Sequence, residues 1–458
     1  MKRRRAPATS QTGGIADGSS QLPSSESLGG VGDTAEHGKV DRRTFLTAVG
    51  AGIATTASSS SRVVSVQTRR PVDVVVVGAG TFGMWTALHL QRLGARVTVV
   101  DAYGAANSRQ TSGGETRGVR TSYGDRPHGR QWTGWAVRAI DRWKLWDEEA
   151  RERLLPQLFF QTGDLILREE VSSYITDTRA NWGELQIPYE TLSPAEVASR
   201  WPWIRYDNLG VALYEPGAGV VRARRAIESV ARVFRDEGGE VLVDRATLGR
   251  RRGTTLENIL LSSRDALEAD MFVFACGPWF PKVFPTLMGR RLRISMGHVF
   301  YFAVPAGDSR FAYPNMPSFG VPGCTGWPAL PLDHRGFRVR TGGRPPDDPD
   351  TSDRWVAQEY HERPREVLQQ HFPDLVGAPI NETRACHYES SVDSNFFIDT
   401  HPELSNVWLT GGGSAEGFKF GPVLGEYIAN RLVGGDQEPE LAEAFRLKPE
   451  QFGDGGAR

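Results

Sequence analysis

The chain has 458 residues, with 54 Lys and Arg against 55 Asp and Glu, so its formal net charge at pH 7 is −1. Proteins that bind nucleic acid usually carry a basic excess, and this balance argues against that class. The length suits one enzyme built from two closely joined domains. Cysteine occurs only as Cys276, Cys324 and Cys386, which does not indicate a disulfide-stapled protein.

Residues 1–70 are predicted to be a leader rather than part of the fold. Residues 1–39 are rich in Ser, Gly, Ala and charge without apolar periodicity, so we expect disorder there. Arg42 and Arg43 then precede a short, weakly apolar segment that resembles a Tat export signal and is too short to span a bilayer. The alternatives are an exposed basic pair in a tail and an upstream start that adds residues. We expect export to the cell envelope or the medium.

A strand–turn–helix unit with a glycine fingerprint follows the leader. The β-branched run 74–77 predicts a strand buried on both faces of a parallel sheet. It leads into Gly78, Gly80 and Gly83, whose spacing suits a sharp turn, close approach of a pyrophosphate, and tight helix packing. Asp101 ends the next predicted strand, where a carboxylate accepts hydrogen bonds from a ribose. The context predicts a dinucleotide site, for either FAD or NAD.

Four tryptophans at helical spacing follow this unit, and we interpret them as core packing rather than as cofactor contacts. They are Trp132, Trp135, Trp143 and Trp146. Residues 159–169 predict a hairpin that opens a second, sheet-based domain. Residues 292–304 and 336–341 indicate further strands of that domain.

Later strands are predicted to return to the first domain. Residues 270–279 indicate a buried strand, and residues 406–410 a last one that runs into Gly412 and Gly413, whose backbone N–H groups a cofactor can use. We therefore expect an α/β fold, with a discontinuous Rossmann-type domain and a second β-rich α+β substrate domain. The predicted boundaries are 1–70 for the leader, 71–155, 215–290 and 380–435 for the cofactor domain, 156–214 and 291–379 for the substrate domain, and 436–458 for a C-terminal tail.

Four motifs along the chain occur together in one known family. They are the fingerprint 78–101, the loop 112–120, the segment 386–388 with 396–399 after it, and the Gly-Phe-Lys-Phe turn 417–420. In these motifs the chain resembles the monomeric sarcosine oxidases and N-methyltryptophan oxidases, FAD-dependent amine oxidoreductases of the D-amino-acid-oxidase-like superfamily. The last two motifs are the more specific, and the resemblance spans residues 72–452.

The resemblance implies that FAD is the cofactor and indicates which residues hold it. The fingerprint glycines and Asp101 would bind it, together with Thr116, Arg117, Gly412, Gly413, Gly417 and Lys419. Cys386 would form an 8α-thioether to the flavin. Taken alone, Cys386 would be interpreted as a small buried hydrophobic residue.

The resemblance also indicates a substrate site. Arg120 and Lys419 would clamp a substrate carboxylate, Arg120 through two hydrogen bonds and Lys419 as a point charge. From the residue alone, Arg120 could equally be a solvated loop arginine. Tyr388 would contact the substrate or be a core tyrosine. We also expect Trp327, Phe418 and His298 near the substrate.

Three departures from the family pattern bear on the chemistry. The family has a lysine above the flavin that promotes reaction with oxygen, and Arg338 stands in its place here, with Arg340 as the alternative counterpart. Gly342 replaces a histidine that helps define the substrate pocket. Glu416 stands where relatives often carry histidine. Both the electron acceptor and the substrate are therefore open.

The expected function is oxidation of a secondary or primary amine bearing a carboxylate, by hydride transfer to flavin N5. The product is an imine, and O₂ becomes H₂O₂. One alternative is a dehydrogenase of the same fold that uses a quinone or a carrier, and a less favoured one is a flavin-binding factor without turnover. We expect a small-molecule amine as partner, a monomer, no membrane span and no metal site.

Overall fold

A computed structural model describes residues 70–263, 266–333, 335–435 and 438–453. The predicted leader and export signal lie outside these residues, apart from Arg70. The helices are α1 Thr81–Arg92, α2 Gly129–Glu152, α3 Ser173–Glu184, α4 Pro194–Arg200, α5 Ala223–Asp236, α6 Phe280–Val283, α7 Pro285–Met288, α8 Glu362–His371, α9 Gly421–Val433 and α10 Pro439–Ala444.

The strands are β1 Asp73–Val77, β2 Arg96–Asp101, β3 Arg117–Val119, β4 Phe159–Phe160, β5 Asp164–Arg168, β6 Glu190–Leu192, β7 Val211–Glu215, β8 Gly219–Val221, β9 Glu240–Val243, β10 Ala246–Leu248, β11 Arg251–Arg252, β12 Thr255–Leu256, β13 Asn258–Leu261, β14 Leu267–Glu268, β15 Met271–Phe274, β16 Leu292–Phe302, β17 Ser318–Val321, β18 Cys324–Trp327, β19 Phe337–Thr341, β20 Ile380–Ser391, β21 Phe397–His401 and β22 Leu404–Gly411.

The first sheet has the order β21-β22-β15-β1-β2-β9, and all its neighbouring pairs are parallel except β21 with β22. Its central strand β1 is buried on both faces, as the run of valines predicted. One face packs against α1, α2, α5 and α9, and the other against α6, α7 and the small sheet β10-β13-β14. The predicted Rossmann-type α/β domain is confirmed.

The predicted tryptophan core is also confirmed. Trp132, Trp135, Trp143 and Trp146 all lie on α2 and are buried against α1 and α9. Trp143 meets the ring of Trp85 edge to face, with centroids 5.5 Å apart, and its indole Nε1 donates to the backbone oxygen of Lys419. The α2 helix therefore fixes the turn that carries Lys419.

The second sheet has the order β20-β16-β19-β18-β17-β5-β7-β6. Helices α4 and α8 cover one part of it, and α3 covers another. The strand β20 pairs with β16 along its length, with Gly297 opposite Cys386. The boundary predicted at residue 380 thus falls at the start of a strand of the second sheet, and the chain returns to the first sheet only at β21.

The predicted hairpin at residues 159–169 is wrong. β4 pairs with β8 in a small sheet with β3, whereas β5 pairs with β7 and β17 in the second sheet. Between them Gly163 has φ +71°, a left-handed conformation that redirects the chain from one sheet into the other. A Cβ at Gly163 would lie 2.5 Å from the ring of Tyr214, so the turn also requires a residue that has no side chain.

Candidate active site

A cavity of about 370 Å³ lies between the two sheets. The carboxyl ends of β1 and β2 and the turns after β15 and β22 line one side, and β5, β16, β18, β19 and β20 line the other. The carboxyl edge of a doubly wound sheet is where such folds bind their ligands. Most of the residues predicted to form a site meet at this cavity.

Gly78 and Gly80 of the glycine fingerprint line one end of the cavity, and neither Gly78 nor Gly83 has room for a side chain. Gly78 has φ +112°, and a Cβ there would lie 2.4 Å from the backbone oxygen of Ala275. A Cβ on Gly83 would lie 1.8 Å from the backbone oxygen of Gly78. Gly80 directly precedes α1, so the positive end of the helix dipole faces this part of the cavity. The backbone thus offers the close approach that a pyrophosphate requires.

Asp101 ends β2 on the cavity wall, as predicted. Its carboxylate accepts hydrogen bonds from the backbone N–H of Ala79 at 2.8 Å and of Tyr103 at 2.9 Å, and from the side chain of Gln110 at 3.1 Å. Burial raises the pKa of Asp101, and these hydrogen bonds counteract the rise. With the glycines, this held carboxylate fits the adenosine and pyrophosphate of a dinucleotide.

The second glycine junction is arranged differently from the prediction. Gly413 and Gly417 line the cavity, while Gly412 has φ +72° and packs against Phe397. The Gly413 N–H is not free, because it donates to Oε1 of Glu389 at 3.1 Å. Sequence reasoning missed Glu389, whose pKa burial raises to about 6. The available signal was an acidic residue inside a buried strand, three positions after Cys386.

The first residue of β3, Arg117, supplies a cation to the cavity, and Thr116 just before the strand supports the cavity wall from behind. Arg117 lines the cavity, donates to the backbone oxygens of Thr111 and Thr116, and lies 6.0 Å from the ring centroid of Phe418. Thr116 is buried behind the wall, where its hydroxyl accepts from Nε1 of Trp327 at 2.9 Å. Thr116 therefore positions Trp327, which lines the cavity.

Cys386 lies on the cavity wall beside three guanidinium groups. Nε of Arg384 donates to its sulfur at 3.2 Å. Burial disfavours the thiolate, but the charges of Arg384, Arg117 and Arg354 outweigh burial and lower the pKa of Cys386. The surroundings therefore stabilise the thiolate form of Cys386, whereas burial raises the pKa of Cys276 and of Cys324.

Arg120 and Lys419 meet at the cavity, as the predicted clamp requires, and Glu416 lies between them. Nζ of Lys419 forms an ion pair with Oε2 of Glu416 and donates to the Tyr123 hydroxyl at 2.8 Å. Nη2 of Arg120 lies 3.7 Å from Oε1 of Glu416, while its Nη1 donates to the backbone and hydroxyl of Ser122. The Arg120 side chain is 28% exposed, so it faces open cavity space. Tyr123 was not predicted.

A buried carboxylate fixes the loop that carries Arg120. Glu215 accepts hydrogen bonds from the backbone N–H and the hydroxyl of Thr121, and this hydroxyl accepts from Nε1 of Trp182 at 2.7 Å. Burial raises the pKa of Glu215 to about 7, and the neighbouring Asp164 adds to the rise. Glu215 is therefore protonated at moderately acidic pH.

Replacing Glu215 with Gln is expected to flatten the pH dependence of stability. The unfolded chain ionises Glu215 near pH 4.5 and the folded chain near pH 7, so native stability falls as pH rises between these values and stays lower above them. Urea unfolding should show that, between pH 5 and pH 8, the unfolding free energy of the native protein falls by up to about 3 kcal/mol more than that of Glu215→Gln. The control change Glu426→Gln should leave the pH dependence of the native protein as it is. If the unfolding free energy changed equally with pH in native protein, Glu215→Gln and Glu426→Gln, the assignment would be contradicted.

Both candidate arginines of β19 line the cavity, and Arg338 is the buried one. Its guanidinium lies 3.5 Å from the ring centroid of Trp327. Burial lowers the pKa of Arg338 to about 9, and its Nε and Nη1 have no hydrogen-bond partner within the described part of the chain. Arg340 lies 5.8 Å from the ring of Tyr388, which also lines the cavity. A positive charge is therefore present on this wall.

Of the predicted aromatic lining, Trp327, Tyr388 and Phe418 contact the cavity. His298 instead packs against Tyr360, with ring centroids 4.6 Å apart. Among the described residues, no cluster of three or more His, Cys, Asp or Glu side chains is arranged to hold a metal ion. Over the same residues, no helix has the length and hydrophobicity needed to cross a bilayer.

Comparisons with known proteins agree with the four motifs. The chain is 26% identical over 398 residues to the monomeric sarcosine oxidase of Bacillus sp. (strain B-0618), covering 81% of this chain and 94% of that protein. It is 27% identical over 388 residues to the N-methyl-L-tryptophan oxidase of Salmonella dublin, covering 82% and 98%. The predicted resemblance is confirmed.

A solved structure and a family model support the same assignment. The crystal structure of iminodiacetate oxidase from Chelativorans sp. BNC1 matches with a TM-score of 0.69 at 21% identity, covering 81% of this chain and 98% of that chain, which shows a shared fold. The model of the FAD dependent oxidoreductase family matches residues 73–431, which contain both sheets and the whole cavity wall. The chain is therefore a member of the FAD dependent oxidoreductase family.

Proposed function

We propose that this enzyme oxidises a secondary or primary amine bearing a carboxylate, an N-methyl, cyclic or ordinary amino acid, to its imine. Relatives named for oxidation of sarcosine and N-methyl-L-tryptophan support the reaction class. The observation that carries the proposal is Arg120, whose guanidinium faces the cavity on the wall shared with Arg117 and Phe418. A guanidinium holds a carboxylate through two parallel hydrogen bonds.

The residues of the chain bind and orient the substrate in this proposal. Bound FAD supplies the two-electron acceptor for the C–N carbon. Arg120 holds the carboxylate end, which fixes the position of the amine-bearing carbon, and such orientation supplies rate. Tyr388 and Trp327 add aromatic surface to the lining of the same cavity. Lys419 keeps its ammonium within the cluster through Glu416 and Tyr123.

We also propose that Cys386 forms a thioether with the flavin: its sulfur would replace one hydrogen of the 8α methyl group, and the two electrons released would reduce the flavin ring, which O₂ would then reoxidise. The lowered pKa of the thiol and the hydrogen bond from Arg384 support it, because the thiolate is the nucleophile. Native protein should then keep its yellow colour after denaturation and gel filtration, while Cys386→Ser should release its flavin. Cys324→Ser is the matched control and should retain it. Release of the flavin from the native protein would rule out the bond.

Oxygen is the electron acceptor that we propose, with H₂O₂ as its product. The buried positive charge of Arg338 is the supporting observation, since developing negative charge on oxygen needs a cation nearby. Arg338 also favours the alternative, a dehydrogenase that uses a quinone or carrier, because an arginine does not readily give up a proton. Steady-state turnover with peroxide detection, with and without an artificial dye, separates the two. Fast dye reduction without peroxide would establish the dehydrogenase.

An anaerobic screen of flavin bleaching tests the amine chemistry itself. N-methyl, cyclic and ordinary amino acids should include at least one that reduces the flavin within the turnover time. A screen in which no amine bleaches the flavin would favour a flavin-binding factor without turnover. This single experiment therefore separates an enzyme from a binding protein.

We further propose that the protein is exported through the Tat route, and the support is Arg42-Arg43 before a short apolar segment. We also propose that it is a monomer, and the support is the relatives that are named monomeric. Replacing both arginines with lysine should retain the protein in the cytoplasm, as judged by fractionation. Gel filtration of native protein at the mass of a dimer would contradict the monomer.

A further inference from the structure

Glu416 places a carboxylate of the protein itself where a substrate carboxylate would find two cations. Its Oε2 is paired with Nζ of Lys419 and accepts a hydrogen bond from the Tyr123 hydroxyl at 3.1 Å. Glu416, Lys419 and Arg120 all line the cavity. Lys419 is thereby neutralised within the protein, and Arg120 is left as the cation that faces the substrate.

The negative charge of Glu416 persists over the working pH range. Burial alone would raise the pKa of this carboxyl, but the charges of Lys419 and Arg120 outweigh burial and lower it to about 2. The pKa of Lys419 falls to about 8 through burial, so the ammonium is still charged at pH 7. A ligand that enters at neutral pH meets a fixed anion beside a fixed cation.

Glu416 and Arg120 place a hydrogen-bond acceptor and a donor side by side in the cavity. Oε1 of Glu416 and Nη2 of Arg120 are 3.7 Å apart, which is beyond hydrogen-bonding distance. A carboxylate bound to Arg120 would face the like charge of Glu416. A carboxamide has no such conflict, because its oxygen accepts from Arg120 while its NH₂ donates to Glu416.

We propose that Glu416 is a specificity-determining residue that makes the site take amines with an uncharged polar end, carboxamides above all, at least as well as the matching amino acids. The inference rests on the proposed function, keeps its oxidation chemistry, and extends its substrates from amino acids to their amides.

Matched ligand pairs test the inference on the FAD-loaded full chain at pH 7. Acetate and acetamide probe binding through the flavin spectrum, and N-methylglycine and its amide probe anaerobic flavin reduction. In native protein the amide should bind and react at least as well as the acid. Glu416→Gln removes the charge at constant shape and should shift the acid-to-amide ratio toward the acid by about tenfold or more. Glu416→His should shift it in the same direction.

Glu426→Gln, the same change at a partly exposed ion pair with Arg142 on α9, is the control and should leave the ratio unchanged. The inference would be overturned if the native protein preferred the acid and if the acid-to-amide ratio of both Glu416→Gln and Glu416→His stayed within about twofold of the native ratio. If no amine reduces the flavin, the proposed function fails instead. Acetate and acetamide binding needs no reduction and still decides the role of Glu416 in that case.

Discussion

Replacing Gly83 with Ala is expected to yield a protein without flavin. A Cβ at this position would lie 1.8 Å from the backbone oxygen and 2.9 Å from the backbone carbon of Gly78, so backbone atoms must move. Separating α1 from the turn at Gly78 removes the surface that a pyrophosphate approaches. We expect flavin content below about a tenth of native, and unfolding free energy lower by about 3 kcal/mol or more.

Gly134→Ala is the matched control for this substitution. Gly134 lies within α2, and a Cβ there would meet no atom within 4 Å. Alanine favours the helix over glycine by about 1 kcal/mol, so this variant should be yellow and slightly more stable in urea. Flavin content measured at 450 nm after purification checks both proteins. A Gly83→Ala protein with native flavin content would show that the close contact is not required.

Replacing Arg120 with Met should remove most of the activity while the cofactor stays bound. The change keeps an unbranched apolar stem but removes the cation that faces the cavity, and it leaves Lys419 as the ion-pair partner of Glu416. The rate of anaerobic flavin reduction divided by the substrate Kd should fall about 100-fold, which corresponds to about 2.7 kcal/mol. A carboxylate substrate should lose more than its amide, because only the acid loses an ionic partner.

Arg142→Met controls for the loss of an arginine, since Arg142 lies on the exposed face of α2 in an ion pair with Glu426. Its reduction kinetics should match those of the native protein. Flavin content and thermal unfolding of Arg120→Met should also be near native if the residue acts in substrate binding. Native reduction kinetics in Arg120→Met would place the substrate elsewhere in the cavity.

The architecture of the first sheet could be predicted from sequence because its requirements are local. A run of valines, a glycine spacing and an acid at the end of the next strand each follow from neighbouring residues, and the structure places all of them as expected. The tryptophans of α2 were predictable for the same reason, because helical spacing alone defines their buried face.

The partners of short strands could not be predicted in this way. Residues 159–169 have a local hairpin pattern, yet β4 and β5 belong to different sheets. Their partners β7, β8 and β17 are distant in the chain, and which edge a two-residue strand joins depends on those remote segments. The placement of β20 in the second sheet has the same cause.

The sequence by itself determined that this chain binds a dinucleotide and carries Cys386, Arg120 and Lys419, because these follow from local motifs and from a family pattern. Only the tertiary structure decided what surrounds them. Arg384 donates a hydrogen bond to the sulfur of Cys386, Glu215 holds the loop of Arg120, and Glu416 lies between the two cations. The charge that a side chain presents to a ligand depends on partners brought close by folding, and no local pattern records those partners.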